Sequence, residues 1–259
     1  MWIGTSAVSQ EYQAADGQLD NLFPADKPYS PYVDRHFPER PLWGDSHLHT
    51  ALSMDAGGFG TRLGLNEAYR FARGEQVTAS SGQPVRLARP LDWLAITDHS
   101  DGMGMIQDVL ARSPLVTKYE QGARWADSFN AGGQDAVDGA LDLIGTFSQG
   151  KMDPEMFANY SPGSRRYATI WEDVIQAAET FNDPGTFTAF IGFEWTSLSK
   201  GANLHRNVIF RDGADRARQV VPYTTQAPVG STDPLDLYKY LEGYEAKTNG
   251  ATMTFAHNG

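Results

Sequence analysis

The chain has 259 residues, a formal net charge of −11, no cysteine, and an ordinary globular mix of 41% hydrophobic and 20% charged residues. That length holds one large domain or two small ones, and the lack of cysteine excludes disulfides, thiolate-bound zinc and a thiol nucleophile. The acidic balance argues against nucleic-acid binding through phosphate contacts, which needs clustered Lys and Arg. A small phosphorylated substrate stays compatible, because bound cations can supply a positive field locally. No apolar run reaches the roughly 18 residues of a membrane-spanning helix. The start, Met1-Trp2-Ile3-Gly4-Thr5-Ser6, has neither the basic nor the apolar region of an intact signal peptide. A soluble protein without membrane contact is expected, periplasmic or secreted if a leader lies upstream and otherwise cytoplasmic.

Residues 1–40 read as an extended arm, with Pro24, Pro28, Pro31 and Pro38 opposing regular structure and His36 as a solvated loop histidine. A strand at about 41–46 then delivers Gly44-Asp45-Ser46-His47-Leu48-His49-Thr50. Strand side chains alternate faces, so His47 and His49 point the same way, and paired imidazoles are half of a metal site. A Gly-rich turn over Asp55–Gly60 follows, then a helix at about 64–73 with Leu65, Ala68, Tyr69 and Ala72 on one face. Residues 75–90 are a polar loop or hairpin. A buried strand over 91–97 opens into Asp98-His99-Ser100-Asp101-Gly102.

The stretch 103–163 reads as a helical insertion that builds a lid or pocket wall, with Val137, Ala140, Leu141, Ile144 and Phe147 as one helix stripe. A stronger helix spans about 164–181, with Tyr167, Ile170, Trp171, Val174, Ala178 and Phe181 apolar on one side. Strands at about 187–193, running into Glu194, and at 205–210 come next. A last helix opens at Asp233-Pro234 and stops at Asn249-Gly250. A fifth strand then leads to His257. Strands alternating with helices predict an α/β protein with a mostly parallel sheet or barrel, and one catalytic domain over 41–259 behind an arm is the simplest parse.

His47, His49, His99, His205 and His257 all sit where a predicted strand begins or ends. Asp55, Asp98 and Glu194 share such positions. In a parallel α/β barrel, side chains at C-terminal strand ends converge on one mouth. His205 begins its strand, so it reaches that mouth only if the strand runs antiparallel or the preceding loop carries it there. A histidine and carboxylate set without cysteine suits two or three divalent cations such as Zn²⁺, Mn²⁺ or Fe²⁺.

His47-Leu48-His49-Thr50, Thr97-Asp98-His99, Gly192-Phe193-Glu194-Trp195, His205 and His257-Asn258-Gly259 resemble the successive motifs of the PHP (polymerase and histidinol phosphatase) superfamily. The wording is most similar to its domain-of-unknown-function 3604 branch, including Asn207-Val208-Ile209-Phe210-Arg211-Asp212. The resemblance covers about 41–259. It implies a distorted (β/α)7 TIM-like barrel with a trinuclear centre that hydrolyses phosphoesters. By the same resemblance His47, His49 and Glu194 hold one metal, Asp55 and His99 a second, and Glu194, His205 and His257 a third. Family members add a final Asp-x-His on a later strand. The chain ends at Gly259 without it, so a truncated reading frame lacking the barrel's closing strands is expected.

The reaction expected is attack of an activated water on a small-molecule phosphoester. Asp98 is then a candidate orienter of His99 or proton acceptor, and Arg206 a candidate contact to substrate phosphate. Two rivals stand beside it. One is an amidohydrolase-like enzyme acting on a carbon ester or amide, although such barrels carry a carboxylated lysine where this chain has Glu194. The other is a catalytically silent metal-binding remnant.

Overall fold

The computed structural model describes residues 40–199 and 202–256. The arm over 1–39, His36 and His257 lie outside the described residues. Strand β1 (Gly44–Leu48) ends just before His49. Helix α1 (Met54–Gly58) carries Asp55 in its first turn, where the sequence suggested a turn. Helix α2 (Leu65–Ala72) buries Ala68, Tyr69 and Ala72, and the Glu67 carboxylate accepts from the Gly64 N–H at its start. The predicted hairpin is the antiparallel pair β2 (Val77–Thr78) and β3 (Pro84–Val85). Strand β4 (Trp93–Ile96) follows.

The insertion is helical, as expected: α3 (Met105–Leu110), α4 (Pro114–Thr117), α5 (Glu120–Ala131), α6 (Gly133–Ser148) and α7 (Pro154–Phe157). It closes over its own apolar cluster, which includes Ile106, Trp125, Phe129, Leu143 and Phe157. On α6 the stripe differs from the sequence reading. Val137 and Leu141 are exposed, and Gly139, Ala140, Leu143 and Phe147 face inward. Small residues cause the rotation: a Cβ at Gly139 would lie 2.8 Å from Ser128 Cβ, an approach to α5 that only glycine permits.

Helix α8 (Arg165–Phe181) starts where Ser164 Oγ accepts from the Tyr167 N–H at 3.0 Å. Its stripe of Tyr167, Ile170, Trp171, Val174 and Ala178 is buried as predicted, against β5 (Thr188–Trp195) and its neighbours. Trp171 meets Phe193 edge to face and Phe210 of β8 (Arg206–Phe210) at a tilt. A small ribbon of β6 (Leu198–Ser199) and β7 (Ala202–Asn203) separates β5 from β8. After α9 (Ala214–Ala217), helix α10 (Pro234–Thr248) begins with Asp233 accepting from the Leu235 N–H and ends at left-handed Asn249. Strand β9 (Thr252–Ala256) completes the described chain. Among the described residues no helix is long and apolar enough to cross a membrane.

The sheet corrects the expected (β/α)7 TIM-like barrel. Five strands run in the order β1-β4-β5-β8-β9, and the sheet curls into a half-barrel. Only β1–β4 and β4–β5 pair in parallel; β5–β8 and β8–β9 are antiparallel. A parallel return needs a crossover of about a dozen residues or more, usually with a helix. Among the described residues of 196–205 the β6–β7 ribbon is the only regular element, and the chain doubles back so that β8 runs against β5.

Gly192 sits at the centre of this curl. A Cβ there would meet Val208 O at 2.9 Å and Ile96 O at 3.2 Å, the backbones of both flanking strands. Gly192→Ala is therefore expected to lose about 1–3 kcal/mol of stability by overpacking, measured by chemical denaturation. An unchanged midpoint would show that the strands are not held this close.

Candidate metal centre

The ligand-type side chains meet where β1, β4 and β5 end and β8 begins. His47 lies in β1 and His49 one residue beyond it, and both face Glu194 of β5. Their Nε2 atoms lie 3.7 Å and 2.6 Å from Glu194 Oε2. The predicted common orientation of the pair is found. Asp55, on α1, places its carboxylate 3.1 Å from His49 Nδ1 and 3.3 Å from His99 Nε2. His99 follows β4, and its Nδ1 lies 3.3 Å from Glu194 Oε2. The antiparallel β8 brings His205 to the same end, with Nδ1 2.7 Å from Glu194 Oε1. Glu194 is fully buried, whereas the side chains of His47 and Asp55 are 41% and 39% exposed, so the cluster opens on that side.

Among the described residues, three overlapping groups could each hold a metal ion: His47, His49 and Glu194; His49, Asp55 and His99; His99, Glu194 and His205. Within each, the ligand atoms lie within 4.8 Å of one another. The first matches the set expected from the resemblance. The second adds His49 to Asp55 and His99, and the third joins His99 to the expected Glu194 and His205, while His257 lies outside the described residues. The donor chemistry suits a divalent cation, with imidazole nitrogen and carboxylate oxygen and no thiolate. His49 Nε2 is buried and lies 2.6 Å from Glu194 Oε2, so an imidazole nitrogen and a carboxylate oxygen converge on one point.

Burial alone would lower the His49 pKa. Hydrogen bonding and charge from Asp55 and Glu194 outweigh burial and raise it to about 10. Burial opposes ionisation of Asp55, but the imidazoles of His49 and His99 hold its carboxyl well below the usual range. Glu194 is likewise held low against burial, by His205 and His49. The centre is thus a site of ionised carboxylates.

Two sequence candidates take other roles. Asp98 does not orient His99: its oxygens accept from the Thr50 N–H at 2.5 Å and the Thr50 hydroxyl at 2.8 Å, tying the chain after β1 to the end of β4. Adjacent residues on an extended chain point to opposite sides, which separates Asp98 from His99. Arg206 is off the site for the same reason. Its guanidinium donates to the carbonyls of Leu204 and His205, where the sequence suggested a phosphate contact. Sequence reasoning missed Thr196, whose hydroxyl is 2.8 Å from His99 Nδ1. It also missed Ser53, which donates to Asp55 at 2.6 Å and accepts from the His99 N–H at 3.2 Å. Only their neighbours Glu194 and Asp55 hinted at them.

Beyond His99, Asp101 is completely buried and accepts from the Thr225 N–H at 3.0 Å and the Thr225 hydroxyl at 3.1 Å. Burial pushes its pKa up to about 7, partly offset by those bonds.

Glu194→Ala is expected to strip the metal content of the purified chain, read by elemental analysis after dialysis, because Glu194 belongs to two of the three groups. Wild-type metal content in that variant would remove Glu194 from the centre. Asp101 gives a pH prediction. The folded state holds its proton up to about pH 7, but the unfolded state releases it near the ordinary aspartate value of 3.8. This group's contribution is therefore full below about pH 4 and is lost as pH rises towards 7. Asp101→Asn should gain stability relative to wild type across that window, in denaturation curves taken at several pH values. A pH-independent difference would refute the assignment.

No curated protein and no solved structure matches the chain. A family model described as "Protein of unknown function (DUF3604)" matches residues 36–259. The chain belongs to the DUF3604 family.

Proposed function

We propose that this protein is a metal-dependent hydrolase of a small-molecule phosphoester, working with two or three divalent cations drawn from Zn²⁺, Mn²⁺ and Fe²⁺. The carrying observation is the sharing of buried Glu194 between two of three overlapping ligand groups. A carboxylate with Oε1 towards His205 and Oε2 towards His49 and His99 would offer an oxygen to cations on both sides. The order of the motifs around His47, His49, His99, Glu194 and His205 supports descent within the PHP superfamily.

Bound there, divalent cations supply an acidified water and offset charge on the phosphoryl oxygens. The protein's own residues do the rest. Glu194 and His205, both buried, form the fixed floor of the site. His47 and Asp55 lie at its open side, where a substrate would enter. Ser53 and Thr196 hold Asp55 and His99 in place by hydrogen bonds. Glu194, in the place where amidohydrolases carry a carboxylated lysine, weighs against the carbon ester or amide reading.

The test is a panel of p-nitrophenyl phosphoesters and carbon esters given to the full chain loaded with Zn²⁺ or Mn²⁺. Phosphoester turnover is expected, falling by about 10²-fold or more in His49→Ala. Turnover of carbon esters alone would replace this reading with the amidohydrolase one. A metal-loaded chain that turns over neither would be a silent metal-binding domain.

A further inference from the structure

Asn207 lies on β8, one side-chain alternation beyond His205 and directly opposite Glu194 in the β5–β8 pairing. All three side chains therefore share the inner face of the half-barrel. Asn207 is completely buried. Its Nδ2 donates to Ser46 O at 2.9 Å. Ser46 precedes His47 in β1, and β1 is not a sheet neighbour of β8, so this bond spans the curl. A carbonyl oxygen can only accept, so the NH₂ must face Ser46, and the orientation of the amide is fixed. The other end of the amide, Oδ1, is buried with no hydrogen-bond partner among the described residues. A buried amide oxygen bears its full desolvation cost unless something donates to it. The described side chains and backbone supply no such donor, and an ordered water in the polar floor of the cluster would.

We propose that Asn207 is a positioning residue of the metal centre, with two functions in one amide. The N–H of Nδ2 sets the spacing between the β1 ligands His47 and His49 and the β8 ligand His205. Oδ1 accepts a hydrogen bond from an ordered water held beside the cluster, so that the amide also orients the polar contents of the site. An asparagine suits both tasks because its donor and acceptor are rigidly coupled and uncharged, adding no charge to the ionised carboxylates nearby. The inference rests on the reading of the cluster as a metal centre and adds to it a residue outside the histidine and carboxylate set.

Three measurements on the full chain test this. A high-resolution crystal structure of the Zn²⁺-loaded protein should show a water within about 2.7–3.2 Å of Asn207 Oδ1. A dry Oδ1 would overturn the acceptor role without relying on any variant. In chelator competition, Asn207→Leu, which removes donor and acceptor, should weaken Zn²⁺ or Mn²⁺ binding about 10- to 100-fold, as expected for groups that orient ligands. Asn207→Asp keeps an acceptor oxygen but loses the bond to Ser46, and should bind more tightly than Asn207→Leu. Equal losses in both would leave only the strut, and unchanged affinity in both would overturn the proposal entirely. Circular dichroism gates each variant, and Asn207→Ser replaces either one that does not fold. Wild-type protein that binds neither metal would sink the metal reading itself, a failure distinct from a metal-loaded protein indifferent to Asn207.

Discussion

The structure depends on one buried charge. Glu194 sits in the middle strand of the sheet with no exposure to solvent, and its carboxylate is held in the ionised form by the imidazoles around it. Burying an ion is costly unless it is paired and hydrogen-bonded. Here the compensation comes from His49, His99 and His205, which approach from β1, β4 and β8. The carboxylate therefore links every element of the half-barrel that carries a ligand. A divalent cation in the same place would serve the same electrostatic need, which makes metal binding and folding two aspects of one linkage.

The reversal of β8 is what completes the cluster. In an all-parallel arrangement the residue before that strand would lie at the far end of the sheet from the β1, β4 and β5 termini. Because β8 pairs antiparallel, Arg206 lies beside Trp195 and His205 arrives next to Glu194. The departure from the expected barrel and the arrival of His205 beside Glu194 have the same cause, the short ribbon connection between β5 and β8.

Much of the site was legible because its chemistry has a period. His47 and His49 read as a pair from strand alternation, and the acids and histidines at later strand ends could be gathered from residue type and position alone. The helix over 165–181 was legible because six apolar side chains recur on one face. What escaped were properties of contact. The rotation of α6 follows from the close approach of Gly139 to Ser128, which no hydropathy pattern records. Asp98 stands next to His99 in the chain but faces Thr50, so adjacency in sequence pointed to the wrong partner. Asn207 carries no charge and matches no ligand pattern. Its place opposite Glu194 appears only once the register is known.

The helical insertion is tied to the centre through α1. Met54 belongs to the insertion's apolar cluster, while the next residue, Asp55, faces His49 and His99. Gly102 makes this junction possible. Its backbone is left-handed, at φ +69°, and a Cβ there would press on Phe157 of the insertion at 3.2 Å and on Met54 Sδ at 3.3 Å. The loop after His99, the insertion and α1 thus pack around one glycine-sized space. Asp55 is the ligand-type carboxylate at the open side of the cluster, and its place follows the packing of its neighbour Met54 in the insertion's apolar cluster. Changes inside the insertion that shift Met54 act on the site through Asp55, whereas the floor formed by Glu194 and His205 is held by the sheet. The cluster therefore has one half set by strand register and one half set by helix packing.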